Sequence, residues 1–292
     1  MSLKDVEVRA RRTEVIIALA IILATSPIII GFSLIILSSF SKSMVTNFDP
    51  SSFHPTLENW INLLQGRSAA VGGLREDILK YTVNTAVVAL GVSLVVTLVG
   101  TMSGYAISRM NFRYRKQFLL LILLLHAFPG SVLIVGVYFI YRLMSPIAMG
   151  SITTFSFFYV IIARASLEIP MAIWLMKGFF DLIPWEVEWA ALIDGASRLT
   201  IWRKVMLPLV KPGVAAILLF GFLAGWQDLI YVRTFLAEKT LATFIEYNLG
   251  TLEFAEMPLV AAAATLYLLP TIIFFVTSQQ LLLRVSLAGL KR

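Results

Sequence analysis

Arg164 and Glu168 stand four residues apart in the apolar run VIIARASLEIPMA (160–172). On an α-helix that spacing stacks the two side chains on one face, where opposite charges attract. An ionised group inside an apolar span is costly, so it either neutralises a neighbour or faces a polar cavity. As a pair they hold one span against another; as cavity groups they hydrogen-bond a polar solute, such as sugar hydroxyls or an acidic sugar's carboxylate. Pro170 follows and frees backbone carbonyls toward the same space. Trp226, Gln227 and Asp228 end a later apolar run. Trp226 is an interface anchor in the simplest reading, though an aromatic beside an amide also suits a sugar face. These five residues are the candidate cavity set. Asn84 and Thr85 are expected to bond between helices. His126, before Pro129, is expected to pack at a kink, and His54 falls in a loop.

No catalytic centre emerges. The chain has no Cys and only two His, so disulfides, a thiol nucleophile and a thiolate metal site are excluded, and no metal site is expected. No Gly-Lys dipeptide occurs, so there is no phosphate-binding loop; if ATP drives the process, another polypeptide binds ATP and Mg.

The elements that must position these residues are membrane spans. Of 292 residues 59% are hydrophobic and only 14% charged, with a mean hydropathy of +0.86. A soluble core would not need that much apolar sequence. About 20 apolar residues cross a bilayer. Val15–Leu37 meets that length, with Pro27 as an expected kink, and is too long for a signal peptide's apolar region. Further spans are expected at 81–107, 118–141, 152–176, 213–226 and 258–283. The fold class is therefore all-α, a polytopic membrane protein with six helices.

Lys and Arg set the orientation. Arg9, Arg11, Arg12, Arg109, Arg113, Arg115, Lys116, Arg198, Arg203 and Lys204 share one side if both termini are cytoplasmic. That bias explains the net charge of +7 without nucleic acid. The resulting plan has a cytoplasmic tail (1–14), a first span (15–37) and an extracellular loop (38–80). A core domain (81–283) follows, with a cytoplasmic loop (181–212) and an acidic outer loop (227–257), and the chain ends in a cytoplasmic tail (284–292).

The cytoplasmic loop is punctuated like a soluble hairpin. Pro184 suits a first helical turn, and Glu186 and Glu188 complement the helix dipole. Trp189, Leu192 and Ile193 fall at helical spacing and give one apolar face. Asp194-Gly195 ends the helix, since Gly accepts a left-handed cap. Ser197 caps a second helix with Leu199, Trp202, Val205 and Met206 on its buried side, and Pro208 and Pro212 stop it. The acidic start argues against a helix resting on lipid, which favours Lys and Arg. Such a knob suits a protein partner.

The run EWAALIDGASRLTIWRKVMLPLVKP resembles the coupling loop of ATP-binding-cassette importer permeases, whose pattern is EAA, two residues, DGA, a spacer and LPxxxP. Asp194, Gly195, Ala196, Leu207, Pro208 and Pro212 match in register, while Trp189 stands at the family's Glu position. With YTVNTAVVALGVSLVVTLVGTMSGYAISRMNF, IPMAIWLMKGFFDLIP, FLAGWQDLIYVRTFL and the last helix, the chain resembles the second permease of maltose-type carbohydrate importers.

The resemblance implies the type I importer permease fold in the plasma (inner) membrane of a bacterium or archaeon. It implies sugar uptake by alternating access, with an oligosaccharide ahead of glycerol phosphate, a polyol or an acidic sugar. Partners would be a second permease, two ATP-binding subunits and an external solute-binding protein. Glu186, Glu188, Trp189, Ala190, Asp194, Gly195, Ala196, Pro208 and Pro212 would couple to the ATPase. Arg233, Glu238, Glu246 and Glu253 would meet the binding protein. Ser286, Gly289 and Lys291, in a tail whose final family Gly is replaced by Arg292, would also reach the ATPase. The rival is a proton-coupled secondary carrier using Arg164 and Glu168, but the halves show no internal repeat.

Overall fold

Residues 3–66, 77–147, 151–250 and 256–289 are described by the computed structural model. Among them no strand forms, and one isolated bridge joins Ser41 to Pro55. The helices are α1 (Leu3–Ser39), α2 (Glu58–Leu64), α3 (Ile78–Arg109), α4 (Arg115–His126), α5 (Gly130–Met144), α6 (Ile152–Asp181), α7 (Trp185–Ile193), α8 (Arg198–Leu209), α9 (Lys211–Trp226), α10 (Ile230–Phe235), α11 (Leu241–Gly250) and α12 (Met257–Gly289).

Four stretches, Thr13–Ser39, Ile78–Arg109, Ile152–Asp181 and Met257–Thr277, are long and apolar enough to cross a membrane by themselves. The expected span at 118–141 is not one helix. It breaks after His126, and α4 and α5 meet at 97°. Pro129 lacks an N–H and pushes the residue before it out of helical geometry. The fifth expected span, 213–226, forms within α9, and the bend lies just before it: α8 and α9 meet at 89° around Val210, between Pro208 and Pro212. Six spans result when each bent pair is counted as one.

Two compact units divide the chain, and each stands on its own terms. One comprises Met1–Asp77 and Asn248–Leu268. In it the stretch after α1 is folded rather than a bare loop. Ser38 Oγ accepts from Val45 N at 2.9 Å, Asn59 Nδ2 donates to Ser41 O at 2.8 Å, and Phe40 stacks on Trp60.

The other unit, Ile78–Tyr247 with Leu269–Arg292, holds the candidate sites. Its centre is α3, α6 and α9 packed together. Val88, Val92 and Val96 recur every four residues on α3 and are fully buried. Two small-residue motifs let these backbones approach. A Cβ on Gly104 of α3 would lie 2.7 Å from Met176 Cβ, and one on Gly225 of α9 would lie 2.8 Å from Ala89 Cα. Ser93 Oγ adds a 2.7 Å bond to Leu218 O. Thr85 joins α3 to the first residue of α11, and Asn84 joins it to the stretch just before that helix. Asn84 Nδ2 donates to Lys239 O at 2.8 Å, and Thr85 Oγ1 accepts from Leu241 N at 3.0 Å. The expected outer loop is thus largely helical. Tyr231, Val232 and Phe235 of α10 are buried, and Phe235 meets Tyr141 and Tyr159 at ring separations of 5.3 Å.

Candidate functional site

The hairpin between α6 and α9 forms as its punctuation implies. Pro184 lies one residue before α7 rather than in its first turn and makes no side-chain capping hydrogen bond, while Glu186 and Glu188 occupy the first turn. At the C-terminus Gly195 takes φ +78°. Ala196 N donates to Ala191 O and Gly195 N to Leu192 O, both at 3.0 Å, the paired bonds of a Schellman stop. Ser197 Oγ then accepts from Thr200 N and caps α8. Two expectations for α8 change. Leu199 is 62% exposed, and Ile201 joins Met206 as the fully buried residues of that helix. Pro208 does not stop α8, which runs through it to Leu209 after a π-helical stretch at Ile201–Met206; that wide turn absorbs the lost hydrogen bond. Pro212 lies in the first turn of α9.

The expected apolar face of α7 splits: Leu192 packs against the core, while Trp189 and Ile193 point outward with Trp185. Trp185, Trp189 and Ile193 are 43%, 53% and 86% exposed, and the two indoles lie 6.2 Å apart. Glu186, Ala190 and Asp194 are exposed beside them, and Ala196 is half-buried. Glu188 is the exception among the expected coupling residues. Its side chain is 0% exposed and faces the membrane helices. Glu188 Oε1 accepts from Tyr105 at 2.8 Å and from Arg198, and Oε2 lies 3.6 Å from Arg109 Nε. Arg109 Nη2 donates to the carbonyls of Phe180 and Ile183, and its guanidinium stacks on Trp185. Glu188 is therefore too deep to touch a docked partner. Sequence reasoning missed Tyr105, Arg109 and Arg198 as its partners, although Tyr105 and Arg109 stand four apart at the end of a span, which is a readable signal.

The cavity candidates separate into two groups. A cavity of about 590 Å³ is lined by His126, Gly130, Arg164, Glu168, Asp228 and Tyr231, with other residues of the α4–α5 break. Arg164 Nη1 reaches Glu168 at 2.8 Å and Arg164 Nε reaches Asp228 at 3.0 Å. Asp228 also accepts from the backbone of Tyr231 and Val232, capping α10. The expected pair is thus a triad of one cation and two carboxylates, still partly open to the cavity. His126 Nδ1 lies 2.7 Å from Leu167 O, so it packs at the break as expected. Trp226 and Gln227 do not line the cavity. Trp226 is 3% exposed and stacks on Phe222, because its ring turns into the helix bundle. Gln227 is exposed.

Of the expected binding-protein contacts, Arg233 pairs with Glu246 and Glu238 with Lys80, all partly exposed. Glu253 and Lys291 lie outside the described residues, as does the side chain of Ser286, and Gly289 is the last residue of α12. Among the described residues no group of three His, Cys, Asp or Glu could hold a metal ion.

Residues 75–285 match the family of binding-protein-dependent transport system inner membrane components. The chain belongs to that family. Over 200 residues this permease is 32% identical to the maltodextrin transport system permease protein MdxG of Bacillus subtilis, covering 68% of this chain and 69% of that one. It is 27% identical over 258 residues to the inner membrane ABC transporter permease protein YcjP of Escherichia coli, covering 85% and 89%. Among solved structures, a bacterial ABC transporter involved in the import of the acidic polysaccharide alginate matches with a TM-score of 0.70 at 19% identity. That match covers 96% of this chain and 98% of the other and speaks to the fold alone. The all-α importer-permease fold and the inner-membrane location expected from the sequence both hold. The relatives are transport subunits, and this permease is read as one.

Proposed function

We propose that this permease is one half of the membrane pathway of an ATP-driven importer of an uncharged oligosaccharide. The observation that carries it is the hairpin: α7, begun by Pro184 and stopped at Gly195, presents Trp185, Trp189 and Ile193 outward while Glu188 roots it in the bundle. A stiff, capped projection transmits displacement that a loose loop would absorb. In this reading α7 seats in an ATP-binding subunit, which holds the ATP and Mg. A second permease completes the pathway, closure of the ATPases rocks the helices between inward- and outward-facing states, and this chain hydrolyses nothing itself. Both termini then lie in the cytoplasm, and the α10–α11 segment with Arg233, Glu238 and Glu246 faces a solute-binding protein. Sites on Glu253 and in the tail at Ser286, Gly289 and Lys291 are proposed with them.

The sugar class is supported from two directions. Relatives carry the names of maltodextrin, diacetylchitobiose and trehalose systems. In the cavity, Arg164 is already engaged by two carboxylates, so it offers no spare cation to an acidic sugar or a phosphate, whereas carboxylates accept hydrogen bonds from hydroxyls.

Because the chain has no Cys, Ala190→Cys creates a unique thiol. A thiol-anchored photo-cross-linker at that position, in native membranes, is expected to capture a polypeptide carrying a phosphate-binding loop. Labelling of the same thiol only from the outside of the cell would reject the reading.

A further inference from the structure

α7 divides its residues between two tasks. One stripe, Trp185, Trp189 and Ile193, is open, while Glu188 points the opposite way and is fully buried. Two other elements, α3 and α8, meet at this one carboxylate, and a third is reached through Arg109. Tyr105 and Arg109 come from the last turns of α3, Arg198 from the first turn of α8, and Arg109 carries the contact onward to the carbonyls of Phe180 and Ile183 at the end of α6, at 2.5 Å each. Two guanidinium groups face one carboxylate, and the surplus positive charge sits against the negative end of the α6 dipole.

A joint of this kind has one preferred geometry. Apolar side chains can slide over one another at small cost, but charge-assisted hydrogen bonds are directional. Pulling one partner out leaves an uncompensated buried charge. Glu188 Oε2 and Arg109 Nε have no hydrogen-bond partner among the described residues and face each other at 3.6 Å, so this side of the joint is held by charge attraction alone.

We propose that Glu188 is a positioning residue that locks α7 to the ends of α3 and α6, so that a displacement of the hairpin moves both spans as one body. The proposal rests on reading α7 as the seat of an ATP-binding subunit. Glu188 itself touches neither that subunit nor solute; it acts through Arg109, Arg198 and Tyr105. Its loss separates hydrolysis from transport and leaves the docking stripe of α7 intact.

The test uses the whole transporter, purified with its partner subunits and solute-binding protein and placed in liposomes. With Glu188→Gln, the ATP-binding subunits are expected to stay attached while solute moved per ATP hydrolysed falls about tenfold. A role confined to folding lowers transport and hydrolysis together, and an unchanged ratio overturns the proposal. Tyr105→Phe removes one bond to the carboxylate and uncovers no charge. It is expected to lower the same ratio about twofold, and it decides the matter if Glu188→Gln does not assemble. A second measurement needs no ATPase: spin labels on Ala190→Cys and Asn111→Cys report the distance from α7 to the end of α3. One narrow distribution is expected with Tyr105 and Glu188 present and a broad one in either variant; equal widths overturn the joint. A narrow distance in a permease that recruits no ATP-binding subunit would instead reject the reading of α7 while leaving the joint standing.

Discussion

Two three-charge clusters divide this permease, and they are near mirror images in composition. At the hairpin, Arg109 and Arg198 share Glu188; at the cavity, Glu168 and Asp228 share Arg164. Their surroundings differ more than their chemistry. Arg109 and Glu188 are 1% and 0% exposed, whereas Arg164, Glu168 and Asp228 keep 18%, 24% and 7%. In the first cluster Arg109 and Glu188 are sealed among helix ends, with backbone carbonyls bonding Arg109, while Arg198 sits at the rim and is 47% exposed. The second lines an open space of about 590 Å³ and keeps accepting capacity toward it. Residue type alone does not separate a structural joint from a solute-facing wall; solvent access of the shared central group does, nil at Glu188 and 18% at Arg164.

The comparison predicts a graded series. Glu188→Ala should have the largest effect, leaving two guanidinium groups without their shared anion. Removing one partner of a buried pair costs about 3–5 kcal/mol. The expected outcome is a marked drop in the melting temperature of the purified permease, and an unchanged melting curve would erase the distinction between the clusters.

Next comes Gly225→Leu. It drives a side chain into the 2.8 Å approach to Ala89 Cα and should separate α9 from α3, at a cost of about 1–3 kcal/mol for overpacking. Limited proteolysis within α9 should reveal it.

Arg164→Ala is expected to leave the fold largely intact, because its partners reach the cavity, but to abolish solute uptake at normal expression. If instead it unfolds the protein as Glu188→Ala does, the cavity triad is a structural joint after all. Glu168→Gln is milder, since Arg164 keeps Asp228; a cost of about 1 kcal/mol and a change in solute affinity are expected, read by uptake at varied solute concentration.

The smallest effect belongs to Lys177→Ala. Its exposed pair with Asp181 should contribute under about 1 kcal/mol, and neither melting nor transport should change measurably.

Much of the hairpin was legible because its signals are local. Pro184, Gly195 and Ser197 act on backbone within about a turn of themselves, so the start of α7, its stop and the cap of α8 could be placed without knowing the neighbours. The breaks at Pro129 and between Pro208 and Pro212 were partly legible in the same way. A hydropathy window, however, averages over a bend, and the 118–141 stretch read as one span kinked at Pro129 rather than as two helices meeting at 97°. Trp226 misled for a related reason: an aromatic at a span's end fits an interface anchor by position, but its ring direction depends on Phe222 and on the packing of α9. Arg164 and Glu168 were found because they share one helix. Their third member, Asp228, was named only as a separate candidate, since nothing in the spacing ties α6 to the end of α9.

Sequence by itself determined the membrane class, the apolar spans and the start and stop of the projecting α7, all consequences of hydropathy and of backbone preferences acting within a few residues. Only the tertiary structure decided which charges meet, that Glu188 turns inward while Trp189 turns out, and that Gly104 and Gly225 mark close crossings. The reason is physical: burial and ion pairing are properties of surfaces brought together from distant parts of the chain, and a local pattern fixes a helix's faces without saying what each face will touch.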